Sequence, residues 1–328
     1  MTTAPFTVKR RTAWGDCDPA RIYYTPRAVD YAVEAIEAWY EAVLGISWAE
    51  LAEHSDLNVR FIRVDCDYHR PLAASQVAHL QVWVTGVECS HVTLTVIGED
   101  GDKALCFLAR LVCHFVERSN AIAIPIPAEF RQRIESYKDK CGDAIATVKN
   151  GNRSGLVSAR SAGGSETDVS GCNCLPDGRA PFSRQRRVVY GDCDASGMLY
   201  APRVFYYAIE TVEEWYEEIL GISWMDLVCK HEQGAPFVSV SCEYLQPIFP
   251  GQTLTVTVRV TRLGAASLGF AVVGYDAWGS ACFDAHLAAC FIEQDGFKTM
   301  RIPEVYRVRI QAYQSICEAL EGNEASLA

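Results

Sequence analysis

No apolar run in this chain approaches the ~20 residues that a helix needs to cross a bilayer. Basic charge is also short: 30 Lys and Arg stand against 41 Asp and Glu, a formal net charge of −11. Nucleic acids and anionic membrane surfaces attract clustered Lys and Arg, so neither is expected as a partner. The N-terminal stretch MTTAPFTVKRRTAWGD lacks the apolar core of a secretory signal, which predicts a cytoplasmic protein. A disulfide framework is not expected either. Of the 14 cysteines, several lie in strand-like apolar runs (Cys106, Cys282, Cys290), where a thiol behaves as a small hydrophobe. Cys172 and Cys174 form the one tight pair outside a repeat, with no second pair or nearby histidine to complete a zinc site.

What the chain does have is itself, twice. Gly15 to Trp48 recurs without insertion or deletion at Gly191 to Trp224, and 19 of these 34 positions are identical at a fixed offset of 176. The same offset pairs Tyr68 and Pro71 with Tyr244 and Pro247, Cys106–Phe107 with Cys282–Phe283, and Pro127 with Pro303. One domain is written twice, and its chemistry should lie in what both copies keep. The expected division is 1–140, a linker over 141–180, and 181–328. The linker is rich in Gly, Ser, Asn and Asp and too poor in apolar residues to offset its ordering entropy. A tether of that length lets the halves pack about an internal two-fold.

Each copy runs in the same order. A short strand leads into a GDCD loop, and a long helix then opens at Pro26 or Pro202, a favoured place for proline. That helix closes at Gly45 or Gly221, which can take a left-handed cap. In the first copy its apolar residues cover most of the circumference, with Glu34, Glu37 and Glu41 as one polar stripe; such a helix is enclosed by other structure. Four strand-like stretches and a terminal amphipathic helix follow. The fold class is therefore α+β, a curved antiparallel sheet wrapped around a helix. Two such sheets would join edge to edge or back to back. Trp39–Tyr40 and Trp215–Tyr216 are expected in the core rather than along a ligand. His54, His69, His91 and His114 have no histidine counterpart in the second copy and read as structural.

The loops GDCDPARIYYTPR and GDCDASGMLYAPR hold two acids, with a helix N-terminus arriving seven residues after the second. Unpaired N–H groups and about half a positive charge sit at such an end. A carboxylate beside them can serve a reaction that builds an oxyanion on a carbonyl, attacking directly or activating water. The spacing also suits Asp18 and Asp194 as plain caps of backbone N–H groups, or a D-x-D metal pair. Asp16 and Asp192 read as structural. Cys17 and Cys193 should point away from the second acid in an extended loop.

These loops, with the strand around Cys242–Glu243–Tyr244–Leu245, Pro247 and Pro250–Gly251, resemble hotdog-fold acyl-CoA thioesterases of the 4-hydroxybenzoyl-CoA thioesterase type. The resemblance covers both repeats. It implies two hotdog domains packed as an intramolecular pseudo-two-fold dimer, with room for a further homo-oligomer. Asp194 and Asp18 are implied as catalytic acids, and the Ala201 and Thr25 N–H groups as the donors that polarise the thioester carbonyl. Tyr200, Tyr24, Arg203, Arg27, Gly197 and Arg21 are implied at the substrate. No cofactor or metal is implied; the partner is a thioester of coenzyme A or of an acyl carrier protein. Arg21 departs from the family's glycine, so it either blocks the first site or recruits an anionic group. The coenzyme-phosphate cations of the family have no evident match, Ser90–His91 and Ala266–Ser267 standing there with Arg262 the one cation close by. Two other classes compete: a hotdog dehydratase or hydratase, which typically pairs the acid with a loop histidine missing here, and a non-catalytic acyl-thioester binding protein.

Overall fold

The computed structural model describes residues 4–54, 57–117, 122–142 and 182–325. Nearly all of the expected linker, with Cys172 and Cys174, lies outside these residues. Its first residue, Cys141, is instead the buried last residue of a helix.

The first half runs β1 (Phe6–Arg11), α1 (Arg27–Trp39), α2 (Trp48–His54), β2 (Leu57–Tyr68), β3 (Val77–Val87), β4 (His91–Glu99), β5 (Leu105–Glu117) and α3 (Ala128–Cys141). The second half repeats the order with β6 (Ser183–Arg187), α4 (Arg203–Trp215), α5 (Trp224–His231), β7 (Gln233–Gly234), β8 (Phe237–Tyr244), β9 (Thr253–Leu263), β10 (Ser267–Tyr275) and β11 (Ala281–Cys290). Two short strands, β12 (Ile292–Glu293) and β13 (Lys298–Thr299), join β7 in a small sheet before α6 (Glu304–Ala325).

Strand patterning sets which face is buried. In β9 the apolar Leu254, Val256, Val258 and Val260 are buried while the intervening Thr and Arg residues are less so, the period-two signature of a one-sided strand. The inward faces wrap α1 and α4, whose apolar residues are enclosed as expected. Pro26 and Pro202 stand at the helix N-caps, and Gly45 and Gly221 take φ of 69° and 68°. The last turn of each helix is π-helical (Tyr40–Leu44 and Tyr216–Leu220), a feature that the apolar period does not announce. Arg133 of α3 and Arg309 of α6 donate to the terminal carbonyls of Leu44 and Leu220, satisfying acceptors the turn leaves free. Trp39 and Trp215 are fully buried, each with its ring edge-on to the following tyrosine at 5.4 Å. Such pairs add about 0.5–1.5 kcal/mol beyond area burial.

The halves join edge to edge. One ten-stranded antiparallel sheet runs β1-β3-β4-β5-β2-β8-β11-β10-β9-β6. At its centre β2 pairs with β8, with Val64 opposite Cys242, Asp65 opposite Ser241 and Cys66 opposite Val240. Asp65 thus faces its own counterpart in the repeat, which places the pseudo-two-fold axis at that pair. The central helices meet on the same axis, where the Tyr206 hydroxyl donates to the Asp30 carboxylate, 176 residues apart. The Arg27 and Arg203 guanidiniums sit 5.6 and 5.1 Å from the Tyr206 ring centroid. A like pair on the axis, two aspartates or two tyrosines, is what a symmetric dimer of one half would present; fusion permits the complementary pair.

Candidate active site

Both GDCD loops are held by their first acid. Asp16 is buried and accepts from the Ala13 N–H and the Tyr31 hydroxyl, each at 2.8 Å. Asp192 accepts from the Tyr207 hydroxyl at 2.6 Å. Arg27 Nε lies 3.5 Å from Asp16 and Arg203 Nε lies 3.5 Å from Asp192, so both arginines are drawn to these loop anchors as well as to Tyr206. The cysteine that follows turns away: the Cys17 and Cys193 sulfurs lie against the carbonyls of Ala13 and Val189. Burial, then the neighbouring aspartates, pushes both thiols above their ordinary pKa, which disfavours the nucleophilic thiolate.

The second acid opens a tight turn. The Asp194 N–H donates to the Met198 carbonyl at 2.9 Å, the Gly197 N–H donates to the Asp194 carbonyl at 3.0 Å, and one Asp194 carboxylate oxygen accepts from the Ser196 N–H at 2.9 Å and from its hydroxyl. Gly197 takes φ 83°, which glycine adopts without strain. In the first copy Arg21 is forced to φ 66° by the same turn. Its side chain is exposed and borders neither cavity described below.

Seven residues past the acid, just before the helix, the Ala201 N–H makes no hydrogen bond among the described residues, and neither does the Thr25 N–H. Their peptides are pinned from the other side. The Tyr244 hydroxyl donates to the Ala201 carbonyl at 2.8 Å, and the Tyr68 hydroxyl donates to the Thr25 carbonyl at 2.9 Å. Each free N–H is therefore aimed by a tyrosine of the sheet, with the positive end of α4 or α1 behind it.

Asp194, Tyr200, Ala201 and Tyr244 line a cavity of about 280 Å³ whose opposite wall is Glu37, Trp48, Arg60 and Phe61 of the first half. Asp194 is also open to solvent. Glu37 is pushed up to about 7 by burial first, then by the charges of Glu34 and Asp194. Arg60 is shifted down by burial, and its Nη2 has no hydrogen-bond partner among the described residues. The pseudo-symmetric position holds a smaller cavity of about 110 Å³, lined by Thr25, Tyr68 and Arg70 against Pro236, Phe237 and Phe297. Asp18 does not line it. Asp18 accepts from the Ala20 N–H at 2.9 Å and is raised by burial, two backbone hydrogen bonds opposing the shift.

Of the site residues expected from sequence, Asp194, Tyr200 and Ala201 come together around the larger cavity, and Thr25 alone reaches the smaller one, where His69, read as structural, also lies. Tyr24 packs edge-on to Tyr206 at 5.8 Å, and Arg27, Arg203, Gly197 and Arg21 border neither cavity. Sequence reasoning gave no site role to Tyr244, named in the repeat and in the strand of the resemblance, or to Glu37, named in the polar stripe, and it missed Arg60. Tyr244 and Glu37 each carried a signal, being identical in the two copies; Arg60, with Pro236 as its counterpart, carried none.

The thioesterase-like superfamily matches residues 188–312. No curated protein matches the chain by sequence. In structure the chain is similar to the 12:0-ACP thioesterase from Umbellularia californica, with a TM-score of 0.64 and 14% identity over 87% of this chain and 93% of that one. It is similar also to an acyl-ACP thioesterase from Bacteroides thetaiotaomicron, with a TM-score of 0.58 and 12% identity over 87% of this chain and 97% of that one. A thioesterase superfamily protein from Jannaschia sp. is 30% identical over 42% of this chain and 94% of its own, with a TM-score of 0.39. The chain is a double hotdog protein of the thioesterase-like superfamily, its second half carrying the family match and its first half repeating the same loop, helix and strands.

Proposed function

We propose that this protein hydrolyses an acyl or aryl thioester, carried by coenzyme A or an acyl carrier protein, at the site built on Asp194. The observation that carries this reading is the shared cavity, in which a loop carboxylate and a hydrogen-bond-free backbone N–H face one space at a helix N-terminus. A thioester carbonyl placed there would have its oxygen on the Ala201 N–H, where the negative charge of the tetrahedral intermediate develops. Removing one such donor typically costs about 10²–10³ in rate. Asp194, accepting hydrogen bonds from Ser196, would act on the carbonyl carbon directly or through water. Cys193 is the rival nucleophile. Its raised pKa, and its sulfur turned toward Val189, favour the carboxylate.

The same reading makes the Asp18 side a subsidiary site. Its cavity is smaller and its acid stands outside the lining. A thiol-release assay across aryl, short-chain and long-chain acyl-CoAs, repeated with acyl carrier protein thioesters, tests the activity. Turnover of at least one class is expected. Binding without release from any thioester would favour a non-catalytic binder. Stoichiometric acyl transfer to Cys193, seen by mass spectrometry after rapid quenching, would replace the aspartate mechanism.

A further inference from the structure

The polar stripe on α1 is not uniformly a solvated face. Glu34 is exposed, while Glu37, one turn on, is only partly exposed and lines the cavity that Asp194 lines from the other half of the chain. Two carboxyl groups thus converge on one space from opposite sides of the pseudo-two-fold. Like charges brought to one space resist joint ionisation, the more so where one of them is partly buried, so one of the two tends to keep a proton. The first half supplies that group: Asp194 is open to solvent and hydrogen-bonded by Ser196, whereas no hydrogen bond to Glu37 is seen among the described residues. The charges acting on Glu37 are Glu34 on its own helix and Asp194 on the loop; Arg60 from β2 lines the same cavity, and the Tyr200 hydroxyl feels the Glu37 charge.

We propose that Glu37 is a second catalytic carboxyl of the Asp194 site, a general acid given by one half of the chain to the reaction centre of the other. This rests on the thioester-hydrolysis reading above. In the step that concerns it, water adds to the thioester carbonyl carbon as Asp194 takes its proton. The oxyanion then reforms the carbonyl, the C–S bond breaks, and the departing sulfur takes the proton of Glu37. Transfer of the Asp194 proton to the Glu37 carboxylate restores both groups, so thioester and water give acid and thiol. The second half's counterpart, Glu213, does not line the smaller cavity, so the device serves one site.

The test uses the full chain and two thioesters of the same acyl group. One has an alkyl thiol, whose thiolate is basic (about 8.5 for a cysteine-like thiol); the other has 4-nitrothiophenol, whose thiolate leaves without a proton. Glu37→Gln should lower kcat for the alkyl thioester by about 10²-fold, within the range of general acid catalysis. The same variant should lose less than about fivefold with the nitrothiophenyl ester. Wild-type kcat/KM on the alkyl thioester should fall above about pH 7 as Glu37 of the free enzyme ionises. That alkaline limb should be missing from Glu37→Gln. Equal losses on both esters with an unchanged pH profile would overturn the proposal and reduce Glu37 to a structural residue. A wild-type chain that hydrolyses neither ester, nor any of the acyl-CoA panel, would instead overturn the hydrolase reading itself.

Discussion

The two GDCD loops share their backbone hydrogen bonds almost bond for bond, yet they border different spaces. Asp18 and Asp194 each donate an N–H across the turn at 2.9 Å, and at each helix entry stands an N–H with no hydrogen bond among the described residues, its residue's carbonyl held by a tyrosine hydroxyl. What differs is the wall contributed by the other half. Opposite Asp194 stand Glu37, Arg60 and Phe61; at the pseudo-equivalent place Pro236 replaces Arg60 and Phe297 comes in from the loop between the short strands. A duplicated loop preserves chemical potential in both copies. Which copy uses it depends on residues far away in sequence and outside the motif.

The comparison breaks most sharply at the acids. Asp194→Asn should lower kcat by at least 10²-fold, roughly 3 kcal/mol of transition-state stabilisation, while Asp18→Asn should cost less than about threefold. A larger loss from Asp18→Asn would reverse the assignment. Next come the tyrosines. Tyr244→Phe frees the Ala201 peptide and removes one hydrogen bond worth about 1 kcal/mol, so kcat should drop by about fivefold. Tyr68→Phe, its counterpart, should affect thermal stability and leave kcat within about twofold.

Smaller effects sharpen the contrast. A carboxyl whose folded pKa lies above its unfolded value is penalised as pH rises between the two. For Glu37 that window runs from its ordinary 4.5 to about 7. Glu37→Gln should therefore gain stability relative to wild type at pH 8, by about 1 kcal/mol after allowance for partial exposure, and gain little at pH 4. A gain independent of pH in thermal melts would place that carboxyl in a more watery setting. Least of all, Arg21→Gly should relieve the left-handed strain at φ 66° for about 0.5 kcal/mol, raising Tm by about 1–2 °C without changing kcat. Activity that rises severalfold in Arg21→Gly would mean that this arginine does obstruct the first site.

Much of the fold was legible because it rests on local patterns. Proline before the helix, glycine after it and period-two strands fixed the element order, and the repeat implied the two-fold. The π turns were not legible, since Tyr40–Leu44 keeps Glu41 polar and the rest apolar in the same way an α turn would. The edge-to-edge join was one of two options. It is settled by the β2–β8 register, a long-range pairing without a short-range signature. At the site, the family resemblance pointed to Asp194 and Ala201, which line one cavity. It also pointed to Arg27 and Arg203, which are drawn instead to the loop acids and to the Tyr206 ring. Glu37 was hidden in a stripe that reads as solvated, because only tertiary packing brings a second half against it.

One measurement bears most directly on the claim that a single working site is built by both halves. Titrating the full chain with a non-hydrolysable thioether analogue of its thioester by calorimetry counts the sites. One equivalent per chain is expected, abolished by Ser196→Trp, which fills the larger cavity, and untouched by Ala20→Trp at the matching position. Two equivalents of equal affinity, or a single equivalent lost to Ala20→Trp and kept in Ser196→Trp, would contradict it.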